Sequence, residues 1–137
     1  MNILLTGSSG MVGRNILEHH NADDYKILNP TSTELNLLDV EAINHFLKTH
    51  KPDLIIHAAG LVGGIEANIS NPIKFLTVNM LMGINIINAS RNAGIQKFIN
   101  IASSCMYPVN AKNPLSEEQI LDGKLEPTNE GYALAKI

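Results

Sequence analysis

Asn2-Ile-Leu-Leu-Thr-Gly-Ser-Ser-Gly-Met-Val-Gly13 decides how the rest of the chain is read. Its first five residues are a short apolar run of the kind that forms a buried strand. Gly7, Gly10 and Gly13 then recur at every third position, and Val12, Ile16 and Leu17 fall at helical spacing across residues 11–20. A strand, a glycine turn and a helix in that order suit a bound dinucleotide. The glycines allow a tight turn, let the backbone approach a pyrophosphate and let helix and strand pack closely. The helix N-terminus adds free amides and the positive end of the peptide dipole. The spacing is G-x-x-G-x-x-G rather than G-x-G-x-x-G, and a tight turn with no ligand can use the same residues. The turn alone therefore names no cofactor.

Outward from the turn, strands and helices alternate. Residues 25–28 read as a second strand, closed by Asn29-Pro30, and Asp39 is a good cap for a helix whose apolar face is Val40, Ala42, Ile43, Phe46 and Leu47. Pro52-Asp53 opens a third strand over residues 54–58. A polar, glycine-bearing loop precedes the longest helix, which starts at Asn71-Pro72, runs to about Arg91 and is stopped by Asn92-Ala-Gly94. Residues 97–102 make a fourth strand. Residues 103–131 are rich in Pro, Asn and Glu, and Gly131 leads into Tyr132-Ala-Leu-Ala-Lys136. Repeating strand–helix units with continuous apolar strands predict an α/β fold, a doubly wound parallel sheet of Rossmann type. No repeat, low-complexity segment or linker interrupts it, so residues 1–137 read as one NAD(P)-binding domain.

Bulk properties narrow the function. A chain of 137 residues, 45% hydrophobic, can bury a core as one domain. A formal charge of −3 offers no basic patch for nucleic acid or anionic lipid. The single cysteine, Cys105, excludes an internal disulfide and fits a reducing cytoplasm. No apolar run reaches the roughly 18 residues of a membrane span, and the opening run is too short for a signal peptide. The expectation is a cytoplasmic protein with neither nucleic-acid nor membrane partners. Asn68-Ile-Ser70 and Asn88-Ala-Ser90 match the glycosylation pattern by chance. His19-His20 reads as a solvated helix end rather than a metal site.

Tyr132 and Lys136 stand four residues apart, on one face of a helix. A phenol ionises near pH 10, roughly, and a neighbouring ammonium stabilises the phenolate and brings that value toward neutrality. Ser103-Ser104-Cys105 follows the fourth strand, at the carboxyl end where open α/β sheets bind ligands. A serine hydroxyl there can hold a substrate carbonyl, and it can equally cap a turn. Cys105 can be a base or a small buried hydrophobe.

The glycine spacing, Ala58-Ala59-Gly60 and Tyr132-x-x-x-Lys136 together resemble the extended short-chain dehydrogenase/reductase family. Glu34-Leu-Asn-Leu-Leu-Asp39, Val62-Gly-Gly-Ile65, Ser103-Ser-Cys-Met-Tyr-Pro108 and Leu125-Glu-Pro-Thr-Asn-Glu130 look like its epimerase-reductases of GDP-4-keto-6-deoxy sugars. That resemblance implies a cofactor site of Gly7, Ser8, Ser9, Gly10, Met11, Val12, Gly13, Asn36, Leu37, Ala58, Ala59, Gly60, Asn79 and Lys136. It implies catalysis by Ser103, which orients a carbonyl, Cys105, which shuttles protons, Tyr132, which donates a proton, and Lys136, which tunes Tyr132 and holds the ribose. It also implies a homodimer in full-length form, and a partner histidine and a C-terminal substrate domain beyond Lys136, so the chain reads as the N-terminal part, inactive alone, of a longer enzyme with an incomplete sheet. Asn29 stands where NAD enzymes carry an acid, but no arginine stands there either; NADP is favoured mainly by the resemblance, and NAD stays open. Related GDP-sugar enzymes of the colitose or heptose type, a non-catalytic cofactor-binding module, and the product of a split gene stay open too.

Overall fold

The computed structural model describes residues 1–137 throughout. They form two compact units: residues 1–60 with 81–101, and residues 61–80 with 102–137.

The first unit carries the sheet. Strands β1 (Asn2–Thr6), β2 (Lys26–Leu28), β3 (Leu54–His57) and β4 (Lys97–Asn100) pair in the order β2-β1-β3-β4. All three pairings are parallel, with Leu4 opposite Leu28 and Ile55, and Ile55 opposite Phe98. This is the doubly wound parallel arrangement that the alternating strands and helices predict. Strand order reverses at β1, so the crevice outside the carboxyl ends of β1 and β3 is the place where such sheets receive ligands.

One face of the sheet packs under two helices. Leu4 and Ile55 pack with Ile43 and Leu47 of α2 (Val40–His50) and with Ile86 and Ala89 of α4 (Pro72–Asn92). Helix α2 begins where Asp39 accepts a hydrogen bond from the Ala42 amide at 3.0 Å, and it ends at Lys51 in the left-handed region, φ 45°. Its predicted apolar face is narrower than the sequence suggests, since Val40 lies exposed before the first full turn. Helix α4 ends on Gly94, whose φ of 73° lets the Ile95 amide reach back to the Ser90 carbonyl at 3.0 Å.

The opposite face carries α1 (Met11–Leu17) beside an open apolar groove of about 620 Å³, lined by Ile3, Leu5, Val12, Ile16, Ile27 and Ile56 among others. Strand β4 pairs with β3 alone and leaves Ile99 exposed. Ile3 and Leu5, which point to the α1 side, are buried all the same, so β1 is covered on both faces as its continuous apolar run suggests.

Several boundaries also move. Helix α1 stops at Leu17 rather than His20, β2 starts at Lys26, β3 stops at His57 and β4 at Asn100. Helix α4 is long and apolar enough, by length and composition alone, to cross a membrane. Ile86 and Ala89 are nonetheless core residues, and Asn85 donates to the Leu37 carbonyl at 3.0 Å, as in a helix anchored within a folded domain.

The second unit holds α3 (Ile65–Ser70), the first part of α4, single 3-10 turns at Ser104–Met106 and Glu117–Gln119, and α5 (Glu130–Leu134). Phe75, Leu125 and Ala133 are its buried apolar residues. A Cβ on Gly131 would lie 2.5 Å from the Pro72 carbonyl oxygen, so glycine lets the start of α5 seat against the start of α4.

Ile55 sits in the middle of the sheet with no exposure. Ile55→Ala is expected to cost about 2–5 kcal/mol through lost burial and the cavity left behind. Urea unfolding reads this as a lower midpoint at constant slope; a change within experimental error would remove Ile55 from the core.

Candidate functional site

The three glycines of the first turn do three different things. Gly7 has φ 73°, and a Cβ there would lie 2.5 Å from the Ala59 amide nitrogen. Its carbonyl accepts from the Gly10 amide at 3.0 Å, which closes the turn. A Cβ on Gly13 would overlap that same carbonyl, so Gly13 sets the approach of α1 to β1. Gly10 differs: it is exposed, it has ordinary extended geometry (φ −77°, ψ 172°), and the only neighbour of an added Cβ is the Gly7 oxygen at 3.3 Å. A cradle closed behind Gly7 and Gly13 and open over Gly10 fits a pyrophosphate passing close to the backbone. No carboxylate lies in the first turn of α1 to oppose it.

Around the turn, side chains hold backbone. Thr6 Oγ1 and His57 Nδ1 form a buried pair at 2.8 Å, and the Ala59 amide donates to Thr6 Oγ1 at 3.4 Å. The Ala58-Ala59-Gly60 segment is thereby fixed against Gly7. The buried Ser8 hydroxyl donates to the Asn29 carbonyl at 3.3 Å, and Arg14 Nε donates to the Ser9 carbonyl at 2.8 Å. Met11 and Val12 are exposed on α1. Asn36 accepts from the Leu38 amide at 3.0 Å, while Leu37 is a core side chain, leaving only its backbone to face any ligand. The exposed Asn29 ends β2 without an acid. Glu34, the carboxylate next along, accepts from both the amide and the hydroxyl of Thr31 at 2.8 Å, and these bonds hold it below the usual carboxylate range.

In the second unit, Asn79 is buried and clamps Leu61: the Leu61 amide donates to Asn79 Oδ1 at 2.7 Å, and Asn79 Nδ2 donates to the Leu61 carbonyl at 3.0 Å. Its side chain is committed to the loop that follows Gly60. Asn68 Nδ2 donates to the carbonyls of Gly63 and Gly64, both at 3.0 Å, and shapes the Val62-Gly-Gly-Ile65 stretch.

Ser103, Cys105, Tyr132 and Lys136 come together in this unit. Ser103 caps the turn that carries Cys105, whose thiol donates to Ser103 Oγ at 3.1 Å. Helix α5 packs on this turn and brings Tyr132 to Ser103, and Lys136 Nζ lies 5.8 Å from the Tyr132 ring centroid. Helix α5 ends at Leu134, and Lys136, just past its cap, still comes to the same side as Tyr132. Here the structure corrects the sequence reading once. The ammonium sits over the ring instead of lowering the phenol: burial first, and then negative charge on Cys105, push Tyr132 above its ordinary value, with Ser103 opposing them. Burial lowers Lys136, and negative charge on Cys105 opposes that shift. The group thus offers a protonated phenol, a serine hydroxyl and a thiol.

The profile of the NAD dependent epimerase/dehydratase family matches residues 3–137. The chain belongs to that family. It is 58% identical over its whole length to the GDP-L-colitose synthase of Yersinia pseudotuberculosis, of which it covers 44%. It is 46% identical over 98% of its length to the GDP-L-fucose synthase of Azorhizobium caulinodans, of which it covers 43%. The structure of a GDP-mannoheptose C4 reductase from Campylobacter jejuni with NADP bound superposes with a TM-score of 0.89 at 31% identity, over 98% of this chain and 43% of that one. The chain therefore spans less than half the length of the relatives it matches.

Sequence reasoning missed Thr6, Asn68 and Asn85 as organising side chains of this epimerase-family chain. The available signal was polarity in apolar surroundings: a buried amide or hydroxyl has to find partners, and in such turns the partners are backbone groups.

Gly10→Val is expected to abolish NADP binding, measured by calorimetry, while leaving the far-ultraviolet spectrum and melting temperature near wild type. Gly13→Val is expected to destabilise the fold itself. Unchanged affinity in Gly10→Val would sink the cradle as a cofactor site.

Proposed function

We propose that this chain is the N-terminal NADP-binding and catalytic part of an epimerase-reductase acting on a GDP-4-keto-6-deoxy sugar and forming GDP-L-fucose, a cytoplasmic step of nucleotide-sugar biosynthesis. The observation that carries the proposal is the hydrogen bond from Cys105 to Ser103 with the Tyr132 helix packed on the same turn, because epimerisation beside a ketone needs a base and reduction of that ketone needs an acid.

Gly7 to Gly13, Ala58-Ala59-Gly60 and the ribose-directed Lys136 would hold NADP, with Asn36, Leu37 and Asn79 shaping the loops beside it. When bound, its reduced form supplies hydride for C4. Asn29, directly after β2, carries no charge to repel a 2′-phosphate, and the Campylobacter jejuni relative holds NADP. Cys105, as thiolate, removes the acidic protons at C3 and C5, which flank the ketone. Ser103 orients the C4 carbonyl. Tyr132, kept protonated by burial, gives its proton to the C4 oxygen. A homodimer is supported by α4, which leaves Ile73, Met80, Leu81, Ile84 and Ile87 exposed along one side, an apolar stripe suited to a second copy.

The 58% identity to a GDP-L-colitose synthase favours a second reading, in which the product is GDP-L-colitose. Colitose lacks the C3 hydroxyl of fucose, so product analysis after incubation with each 4-keto sugar separates the two.

Completed by the C-terminal part of the Yersinia pseudotuberculosis relative, the wild-type sequence is expected to consume NADPH with substrate. In that protein Tyr132→Phe is expected to lose reduction by at least about a hundredfold, the scale of a lost general acid. Cys105→Ser is expected to slow deuterium exchange into C3 and C5 instead. Normal exchange in Cys105→Ser would assign the base elsewhere. Residues 1–137 alone, with the β4 edge and the groove beside α1 uncovered, are expected to associate in light scattering and to turn over no substrate. A monomer with sustained substrate-dependent NADPH oxidation would overturn the placing of substrate binding in a longer chain.

A further inference from the structure

The Ser103 hydroxyl carries one hydrogen and has two neighbours that can use it. The Cys105 thiol donates to its oxygen at 3.1 Å, the Cys105 amide points to the same oxygen at 3.5 Å, and α5 packs on this turn and brings Tyr132 to the serine. A thiol donates to such an oxygen, whereas a thiolate can only accept from it. We propose that Ser103 is a one-proton gate between Cys105 and Tyr132, its hydrogen held by the sulfur while Cys105 is a thiolate and released toward Tyr132 and the substrate oxygen once the sulfur is protonated.

The ordering that results rests on the proposed epimerase-reductase reaction. When the thiolate takes a proton from the carbon beside the ketone, that C–H bond breaks and an S–H bond forms. The C–H electron pair becomes the enolate double bond, and the carbonyl π pair moves to the C4 oxygen. The new thiol donates to Ser103 Oγ, which frees the serine hydrogen for the C4 oxygen or Tyr132. Proton abstraction is thereby tied to readiness for the later step. The titratable groups that face the sulfur are Tyr132 and Lys136, and negative charge on Cys105 strengthens proton binding at both. Tyr132 is thus kept as an acid while Cys105 acts as a base.

Cys105 is the only cysteine in the chain, so alkylation by iodoacetamide reads it alone. The rate is measured against pH for residues 1–137, without substrate, in the wild type, Ser103→Ala, Ser103→Thr, Tyr132→Phe and the Ser103→Ala/Tyr132→Phe double variant, with circular dichroism to verify the fold. Ser103→Ala is expected to raise the midpoint by about one pH unit, the loss of one hydrogen bond to a charged group. Ser103→Thr keeps the hydroxyl and restores the wild-type midpoint. Tyr132→Phe is expected to raise the midpoint by about half a unit when Ser103 is present and to have no effect in Ser103→Ala, because coupling through the serine is cooperative. No shift in Ser103→Ala, or an equal effect of Tyr132→Phe in both backgrounds, would overturn the gate. If Ser103→Ala does not fold, the wild-type midpoint in Ser103→Thr and the shift in Tyr132→Phe decide: absence of that shift overturns it. The readout needs neither cofactor nor sugar, so it can fail while the proposed reaction stands, and the exchange and reduction assays can fail while it holds.

Discussion

Everything in the first unit depends on the closeness with which Gly7 packs against the backbone of Ala58 and Ala59. A side chain at position 7 would meet main chain rather than a yielding side chain, and the residue also needs a positive φ. Glycine there permits the sharp turn out of β1. The Gly7 carbonyl then receives Gly10 and crowds Gly13, which fixes the line of α1. Thr6 and His57 reinforce the contact from the strand side, with a buried polar pair joining β1 to β3 one residue before the two chains leave the sheet. The open surface over Gly10 is the by-product of this tight packing, and a cofactor can use it because nothing in the fold needs it.

The second unit is built on a different device. Its backbone is loop-rich, and buried amides stand in for ladder hydrogen bonds. Asn79 pairs with Leu61 through both its oxygen and its nitrogen, much as a strand neighbour would, and Asn68 gathers two successive glycine carbonyls. Such groups are costly to bury unless bonded, so each fixes one loop geometry. Gly131 contributes by closeness rather than bonding, seating α5 on the Pro72 carbonyl and so setting the level at which Tyr132 leaves its helix.

The parallel sheet and its glycine turn were legible because apolar strand runs, glycine spacing and helical periodicity all agree there. The Ser103, Cys105, Tyr132 and Lys136 set was legible from motif resemblance. Its electrostatics were not: burial and a nearby sulfur depend on tertiary placement, and they reverse the shift that a Tyr–Lys pair suggests in isolation. Helix α3 was missed because Ile65 and Ile69 are exposed and only Asn68 is buried, so no apolar periodicity marks it. Helix α1 is shorter than expected because the Glu18-His-His-Asn21 stretch offers no apolar anchor for another turn. Lys136 falls outside α5 because its amide bonds to the Ala133 carbonyl, three residues back, in a tightened final turn.

We propose that the surface over Gly10 is where this epimerase-family chain holds its cofactor. Nuclear magnetic resonance of isotopically labelled residues 1–137 during titration with NADP tests it most directly. The largest shifts are expected at the amides of Gly7 through Gly13 and of Ala58, Ala59 and Gly60, saturating together. Shifts confined to the apolar groove lined by Ile3, Ile27 and Ile56, or no shifts at all, would contradict it.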